Sequence, residues 1–420
     1  MKARFLLLAL LLPIPTMALT PEEDAVYRER MRLINGGPAA DPTGTALYQP
    51  LEAIPGDQRW QPLPARDPAE RRVSAEAWAA ARDYAARNNS NALIVWHDGA
   101  VEYADFFGGH RAELPVVARS LAKPVTTVAI GRALALGRIR SLDQPAATWF
   151  DEWRDWPKNA ILVRHLLDMR GGFMAQGPTF DPASIFARAY ASPRHEEVML
   201  REYPLTHTPG TRYEYANTPS DLVAPLIERA TGRRYAEFLS REVFKPIGAP
   251  DGQVWINRPG GVAHSGCCLL APAELWLRLA ILLMDDGVWQ GRRLLPEGYV
   301  QAVRSPTPQN PWAGMGVYVA GEYVERRGAA NPDLPPPIPK TLHSEPYLAS
   351  DLFLFDGNAN QAVWIVPSLR LVVLRTGDNP PRGPGTPEWD NAFLPNTIIR
   401  GLPEEWRRRA EPQPRPQARQ

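Results

Sequence analysis

Ser120-Leu121-Ala122-Lys123 puts a hydroxyl and an amine three positions apart at the head of the most apolar helical stretch in this chain. A serine hydroxyl is hardly ionised at neutral pH and attacks a carbonyl only with a base within hydrogen-bond reach. Positions three apart share one helix face, so the Lys123 amine falls one turn above the Ser120 oxygen. A lysine packed against apolar neighbours loses hydration, which draws it into proton transfer. A helix beginning at Ser120 also aims unpaired backbone N–H groups at charge that develops there. A second group, Tyr213-Glu214-Tyr215-Ala216-Asn217, stands directly before another helical stretch. A tyrosinate acts as general base where a cation holds its charge, and Lys123 is the cation at hand. The Asn217 amide carries both donors and an acceptor, enough to bind a lysine and a substrate carbonyl together.

The elements that must carry these groups are legible in the periodicity. Residues 91–96 and 101–107 flank His97-Asp98-Gly99-Ala100 and read as strand, Asp-Gly turn, strand. Residues 352–355, 361–366 and 369–375 read as three further strands. Between them, 121–136, 160–168, 220–231, 235–243 and 273–284 carry apolar residues at helical spacing. Strands at both ends with helices between predict an α+β fold. In it, one antiparallel sheet (from about 75–118 and 345–402) is flanked by helices, with a helical region (about 119–300) inserted. The chain's 420 residues can bury a large core, and 47 Lys+Arg against 46 Asp+Glu leave no field for nucleic acid or an anionic membrane. Seven His and two adjacent Cys give little material for a metal site, so neither metal nor cofactor is expected.

Together, Ser120-x-x-Lys123 and Tyr215-Ala216-Asn217 resemble the serine β-lactamase-like superfamily: class C β-lactamases and their family VIII esterase, D-peptidase and 6-aminohexanoate-dimer hydrolase relatives. The likeness extends over 91–99 (the strand before the nucleophile helix), 137–145 (the turn after it) and 163–169. There the usual Ser-Gly is written Arg170-Gly171-Gly172. Thr208-Pro209-Gly210 and residues 287–296 also fit, so the resemblance covers roughly 75–400. It implies that Ser120 is acylated, that Lys123 and Tyr215 share the general-base work, and that Asn217 orients Lys123 and the substrate. It further places Phe355-Asp356-Gly357 where class C enzymes carry Lys-Thr-Gly against the substrate, and gives the oxyanion hole to the backbone N–H groups of Ser120 and Asn358. Gly357 suits a close backbone approach. Two departures stand out. The cation that grips a β-lactam carboxylate is replaced by Phe355, with Asp356 beside it. Pro124 removes a backbone donor in the first helical turn, where proline is tolerated.

The remaining segments carry structural expectations. Residues 1–20, with Lys2 and Arg4 before an apolar run and Thr16-Met17-Ala18 after it, have the layout of a secretory signal peptide. That implies a periplasmic or secreted protein with no stable membrane insertion once the signal is removed. Residues 21–74 read as an irregular lead-in, 328–340 as a proline-rich surface excursion, and 403–420 as a disordered tail. His264-Ser265-Gly266 lacks the first glycine of a hydrolase elbow, and His195-Glu196-Glu197 lacks a second metal-binding histidine. His165 and His207 read as packing or loop residues. A Cys267–Cys268 bond would close a strained ring, so reduced, buried thiols are expected, with a vicinal disulfide as the alternative. The functional reading is an exported serine hydrolase that cleaves a small ester, amide or peptide through an acyl-enzyme. A D-peptidase or β-lactam-reacting protein, and a non-catalytic binder on the same scaffold, remain as alternatives. The oligomeric state is left open.

Overall fold

Alternating and continuous apolar runs from the two ends of the chain meet in one antiparallel sheet. The computed structural model describes residues 18–40, 44–177, 181–328, 332, 340–386 and 388–414. Ten strands matter here: β1 (Leu51–Ile54), β2 (Ser90–His97), β3 (Ala100–Phe106), β4 (Pro115–Val117), β5 (Gly252–Trp255), β6 (Leu269–Pro272), β7 (Tyr318–Val319), β8 (Phe353–Gly357), β9 (Gln361–Val366) and β10 (Leu371–Gly377). The main sheet has six strands in the order β3-β2-β10-β9-β8-β7. Val95 of β2 lies opposite Val373 of β10, and Trp364 of β9 lies between Val373 and Leu354. This is the predicted α+β architecture. The sheet's two termini-derived halves join at the β2–β10 pair, and only β7, between the insert and the C-terminal strands, lies outside them.

Both faces of the sheet are covered, which explains why β9 and β10 read as unbroken apolar runs. On one face, Leu93, Val95, Leu354, Trp364 and Val373 pack against α2 (Ala75–Arg87) and α7 (Phe393–Gly401). On the other, Ile94, Phe355, Val363, Val372 and Leu374 share a core with α3 (Lys123–Ala135) and α6 (Glu274–Met284). α3 is buried from Lys123 to Ala133, and its polar residues all have partners. Arg132 binds Glu242 at 2.8 Å, and Thr127 donates to the Met315 carbonyl at 2.9 Å. A helix that is apolar nearly all round belongs inside the protein.

A second, four-stranded sheet (β1-β5-β6-β4) lies beyond the main one and has no counterpart in the sequence reading, because its strands are three or four residues long. β4 leads straight into Ser120 and pairs with β6, fixing the approach to that residue.

Three expectations are corrected. The lead-in is not wholly irregular. α1 (Pro21–Ala40) spans its first part, Tyr27 and Met31 are buried against Ala187 and Ala191, and Arg30 binds the carbonyls of Ala191 and Asn257. The tail is not disordered as far as residue 414. α8 (Glu404–Arg407) buries Trp406 edge-on to His97, and Gln413 binds Tyr347 and Ala320 backbone groups. A single tryptophan offsets the low apolar content that suggested disorder. Cys267 and Cys268 form a vicinal disulfide, where reduced thiols were expected. Residues 1–17, most of the proline-rich excursion and residues 415–420 lie outside the described residues. Among the described residues no helix is long and apolar enough to cross a membrane.

Candidate active site

Ser120 does not start an α-helix. It sits in a tight 3-10 turn (Arg119–Ala122), and α3 begins only at Lys123. The turn is entered through Arg119 at φ 52°, a left-handed conformation for a residue with a side chain. Such backbone is costly and persists where surroundings impose it. They do so here. The Ala118 N–H donates to Leu269 at 2.8 Å, the Leu121 carbonyl accepts from the Trp276 indole at 2.9 Å, and Gln361 donates to Val117 at 2.9 Å. Arg119 itself reaches the Tyr48 hydroxyl. Pro124 occupies the first turn of α3, where its missing donor is not needed.

The four residues singled out by spacing converge. Ser120 Oγ lies 2.6 Å from the Tyr215 hydroxyl, and Lys123 Nζ donates to Ser120 Oγ at 3.1 Å. Lys123 Nζ also donates to Asn217 Oδ1 at 2.8 Å and to the Gly266 carbonyl at 2.9 Å, which uses all three of its N–H donors. The ammonium sits 4.8 Å from the Tyr215 ring centre. Asn217 opens the short helix α4 (Asn217–Asp221), and its N–H is held by Gln176 at 3.0 Å. Tyr215 therefore sits at the end of an extended segment, and Asn217 turns back into a helix beside it.

The sheet wall is arranged differently. β8 ends at Gly357, where an added Cβ would stand 3.2 Å from the Ala118 carbonyl and 3.2 Å from the Leu121 nitrogen. A side chain here would press on the Ser120 turn, so glycine suits so close an approach of the strand end. Asn358 is exposed, and Ala359 and Asn360 follow at φ 67° and 57°. The buried Arg375 side chain ties this turn down by donating to the Ala359 carbonyl and to Ser90 Oγ. Of the residues matched to the third motif, Asp356 lines the cavity in front of Ser120, and Phe355 does not. Phe355 is fully buried in the core shared with α3. The cavity is narrow and is walled by Tyr213, Tyr215, Tyr318, Met169 and Leu167 besides Ser120, Lys123 and Asp356. Burial raises the Asp356 carboxyl to about 7, with the Arg327 charge opposing the shift. Burial likewise lifts the Tyr213 and Tyr318 hydroxyls well above the usual phenol range.

The segment dismissed as a broken elbow turns out to matter through its backbone. Ser265 donates to the Ser220 carbonyl at 2.7 Å, and His264 stacks between Trp255 and His195. Gly266 supplies the carbonyl that holds Lys123. Sequence reasoning missed Gly266, Gln176 and Tyr318, because a backbone acceptor or a wall residue leaves no motif. His165 accepts the Leu162 N–H, and His207 lies at the rim near Glu214, as packing and loop residues.

Fold and geometry together define a hydrogen-bonded Ser–Lys–Tyr site at a sheet–helix boundary. The beta-lactamase family pattern matches residues 72–387, so the chain belongs to the beta-lactamase family. Esterase EstB of Burkholderia gladioli is 26% identical over 251 residues, covering 53% of this chain and 58% of EstB. The 6-aminohexanoate-dimer hydrolase of Paenarthrobacter ureafaciens is 30% identical over 93 residues, covering 22% of this chain and 23% of that protein. The match thus spans 58% of the length of EstB and less than a quarter of the length of the 6-aminohexanoate-dimer hydrolase. Among solved structures, a penicillin-binding protein homolog from Caulobacter crescentus superposes with a TM-score of 0.53 at 16% identity. That match covers 79% of this chain and 99% of the other, and it supports the shared fold.

Proposed function

We propose that the protein is an exported serine hydrolase that cleaves small neutral esters or amides through an acyl-enzyme on Ser120. The observation that carries this reading is the placement of one hydroxyl, Ser120 Oγ, within hydrogen-bond reach of both Tyr215 and Lys123. In the proposed reaction Ser120 Oγ bonds to the substrate carbonyl carbon while its proton passes to the Tyr215–Lys123 pair. The tetrahedral oxyanion is received by the Ser120 and Asn358 N–H groups. Collapse breaks the bond to the alcohol or amine, which leaves with the returned proton. Water, deprotonated by the same pair, then frees the acid and restores Ser120. Asn217 and Gly266 hold the Lys123 amine on line. The close seat of Gly357 against the nucleophile turn supports the oxyanion assignment.

Substrate preference follows from the cavity wall. Aromatic side chains favour an apolar acyl group, and an ionised Asp356 disfavours a carboxylate where a β-lactam would present one. Export is supported by the leader-like first residues and by a disulfide, a bond kept in oxidising compartments. A D-peptidase reading is disfavoured on the same grounds as β-lactams, since a peptide's terminal carboxylate would meet Asp356.

The test is labelling with a fluorophosphonate followed by intact-mass analysis, run beside turnover of p-nitrophenyl esters and a chromogenic cephalosporin. The expected result is one adduct per chain, absent in Ser120→Ala, and ester turnover well above cephalosporin turnover. An adduct that persists in Ser120→Ala moves the chemistry elsewhere.

A further inference from the structure

Behind Lys123, away from the cavity, lies a buried carboxylate that the reaction above does not use. Asp221 closes α4, four residues after Asn217, and is 1% exposed. Its Oδ1 accepts the Gly266 N–H at 2.7 Å, while the Gly266 carbonyl accepts from Lys123 Nζ at 2.9 Å. Gly266 is thus held at both ends, by Asp221 on one side and by the lysine on the other. Nothing larger fits there: an added Cβ would stand 2.8 Å from the Ser220 Cβ and 3.0 Å from Asp221 Oδ1. α4 therefore grips Lys123 twice, directly through Asn217 at its start and through Gly266 by way of Asp221 at its end. An ionisable acid at such a place is unexpected on stability grounds alone, because a neutral amide would accept the same hydrogen bond without the burial cost of a charge.

We propose that Asp221 is a positioning residue for Lys123, holding the Gly266 carbonyl against the amine and placing a buried carboxylate behind it. The groups that face Asp221 isolate this charge. Lys123 approaches from α3. His264 and Cys267 come from the Gly266 loop, with their ligand atoms and the Asp221 carboxylate within 4.8 Å of one another. Cys267 is tied up in the disulfide, and burial holds His264 well below the usual histidine range. Tyr190 and Tyr235 feel the same carboxylate, and burial pushes both hydroxyls well above the usual phenol range. Burial lifts Asp221 itself to about 7, opposed by the Gly266 hydrogen bond and the Lys123 charge. Beside His264, Tyr190 and Tyr235, Asp221 is the group that changes charge near neutrality.

The inference rests on the reading of Lys123 as an activating group, and its test keeps the two apart. Hydrolysis of a neutral p-nitrophenyl ester is followed from about pH 5 to about pH 9 in an Asp356→Asn background, which removes the cavity carboxylate that titrates in the same range. Asp221→Ala is expected to lower kcat about tenfold or more with KM within about twofold, since Asp221 touches no substrate. Asp221→Asn, which keeps the acceptor but stays neutral, is expected to match its parent near pH 6 and to diverge from it about threefold or more above pH 8. Should Asp221→Ala lose its fold, the Asn variant decides alone. Wild-type kcat in a folded Asp221→Ala, or Asn and parent profiles that superpose throughout, overturns the proposal. A Lys123→Ala protein with full activity would instead sink the underlying reading, whereas an inert Lys123→Ala beside a normal Asp221→Ala sinks only the role of Asp221.

Discussion

The two walls of the cavity are built on opposite plans. On the helical wall, Ser120, Lys123, Tyr215 and Asn217 are knitted to one another and to Gly266 and Gln176, so the two hydroxyls, the amine and the Asn217 carbonyl oxygen each have a protein partner in a fixed direction. On the sheet wall, Asp356 faces the cavity as a carboxyl lifted to about 7, and Asn358 stands exposed ahead of a turn held in left-handed backbone. One wall is held by its own hydrogen bonds, which suits the proton transfer proposed for it. The other is a surface whose charge and backbone groups are left for a ligand to meet. Under the proposed reaction, the difference means that reactivity and selectivity are set on separate walls. Changes on the helical wall should alter rate for every substrate, while changes on the sheet wall should alter the choice among substrates.

The largest expected effect breaks the helical wall. Lys123→Ala or Tyr215→Phe should each lower kcat for a neutral ester by about a hundredfold or more, and the double variant should be little worse than either single one. Residues that act as one unit lose their joint contribution when either is removed. Additive losses in steady-state kinetics would mean that the two side chains work independently.

A smaller effect should come from the sheet wall. Asp356→Asn removes the carboxylate while keeping the side chain's shape. It should raise kcat/KM for carboxylate-bearing substrates relative to neutral ones by roughly tenfold at pH 8, with little change at pH 5 where the wild-type group is already neutral. The ratio of cephalosporin to ester turnover in both proteins measures this directly. An unmoved ratio would show that Asp356 does not meet the substrate. Because Phe355 is packed in the core, restoring a lysine there would cost stability before it altered selectivity.

The smallest effect is on stability, and it has a definite sign. Asp356 and Asp221 both titrate near 7 when folded and near the ordinary carboxyl range when unfolded. Between about pH 4 and 7 the folded chain therefore binds more protons than the unfolded one, so this contribution to stability is complete below that window and lost as pH rises through it. Thermal unfolding followed by calorimetry should show a lower Tm at pH 8 than at pH 5, with a shallower slope in Asp356→Asn. A slope that survives in an Asp221→Asn, Asp356→Asn double variant would assign the pH dependence to other groups.

Much of this protein was written locally. The spacing of Ser120 and Lys123 needs only one helical turn to bring amine and hydroxyl together, so the pair was legible without any knowledge of the fold. The same holds for β2, β9 and β10, whose apolar runs admit one reading, and for the α+β order of elements that follows from strands at both ends. Tyr215 and Asn217 were legible as a motif, but their 2.6 Å and 2.8 Å contacts depend on how α4 docks against α3, a long-range event. Other features have no local signature at all. The Gly266 carbonyl, the left-handed Arg119, the burial of Phe355 and the pairing of Cys267 with Cys268 are decided by which surfaces meet when the helical insert folds onto the sheet. The short β1-β5-β6-β4 sheet, α1 and the docked Trp406 belong to the same class. Each is too short or too polar to declare itself from composition, and each is stabilised by contacts with residues far away in the chain. Sequence pattern reports on a residue's own side chain and its near neighbours. A backbone acceptor, a strained φ or the environment that lifts a carboxyl to about 7 is a property of everything packed around it, and only the tertiary structure assembles that.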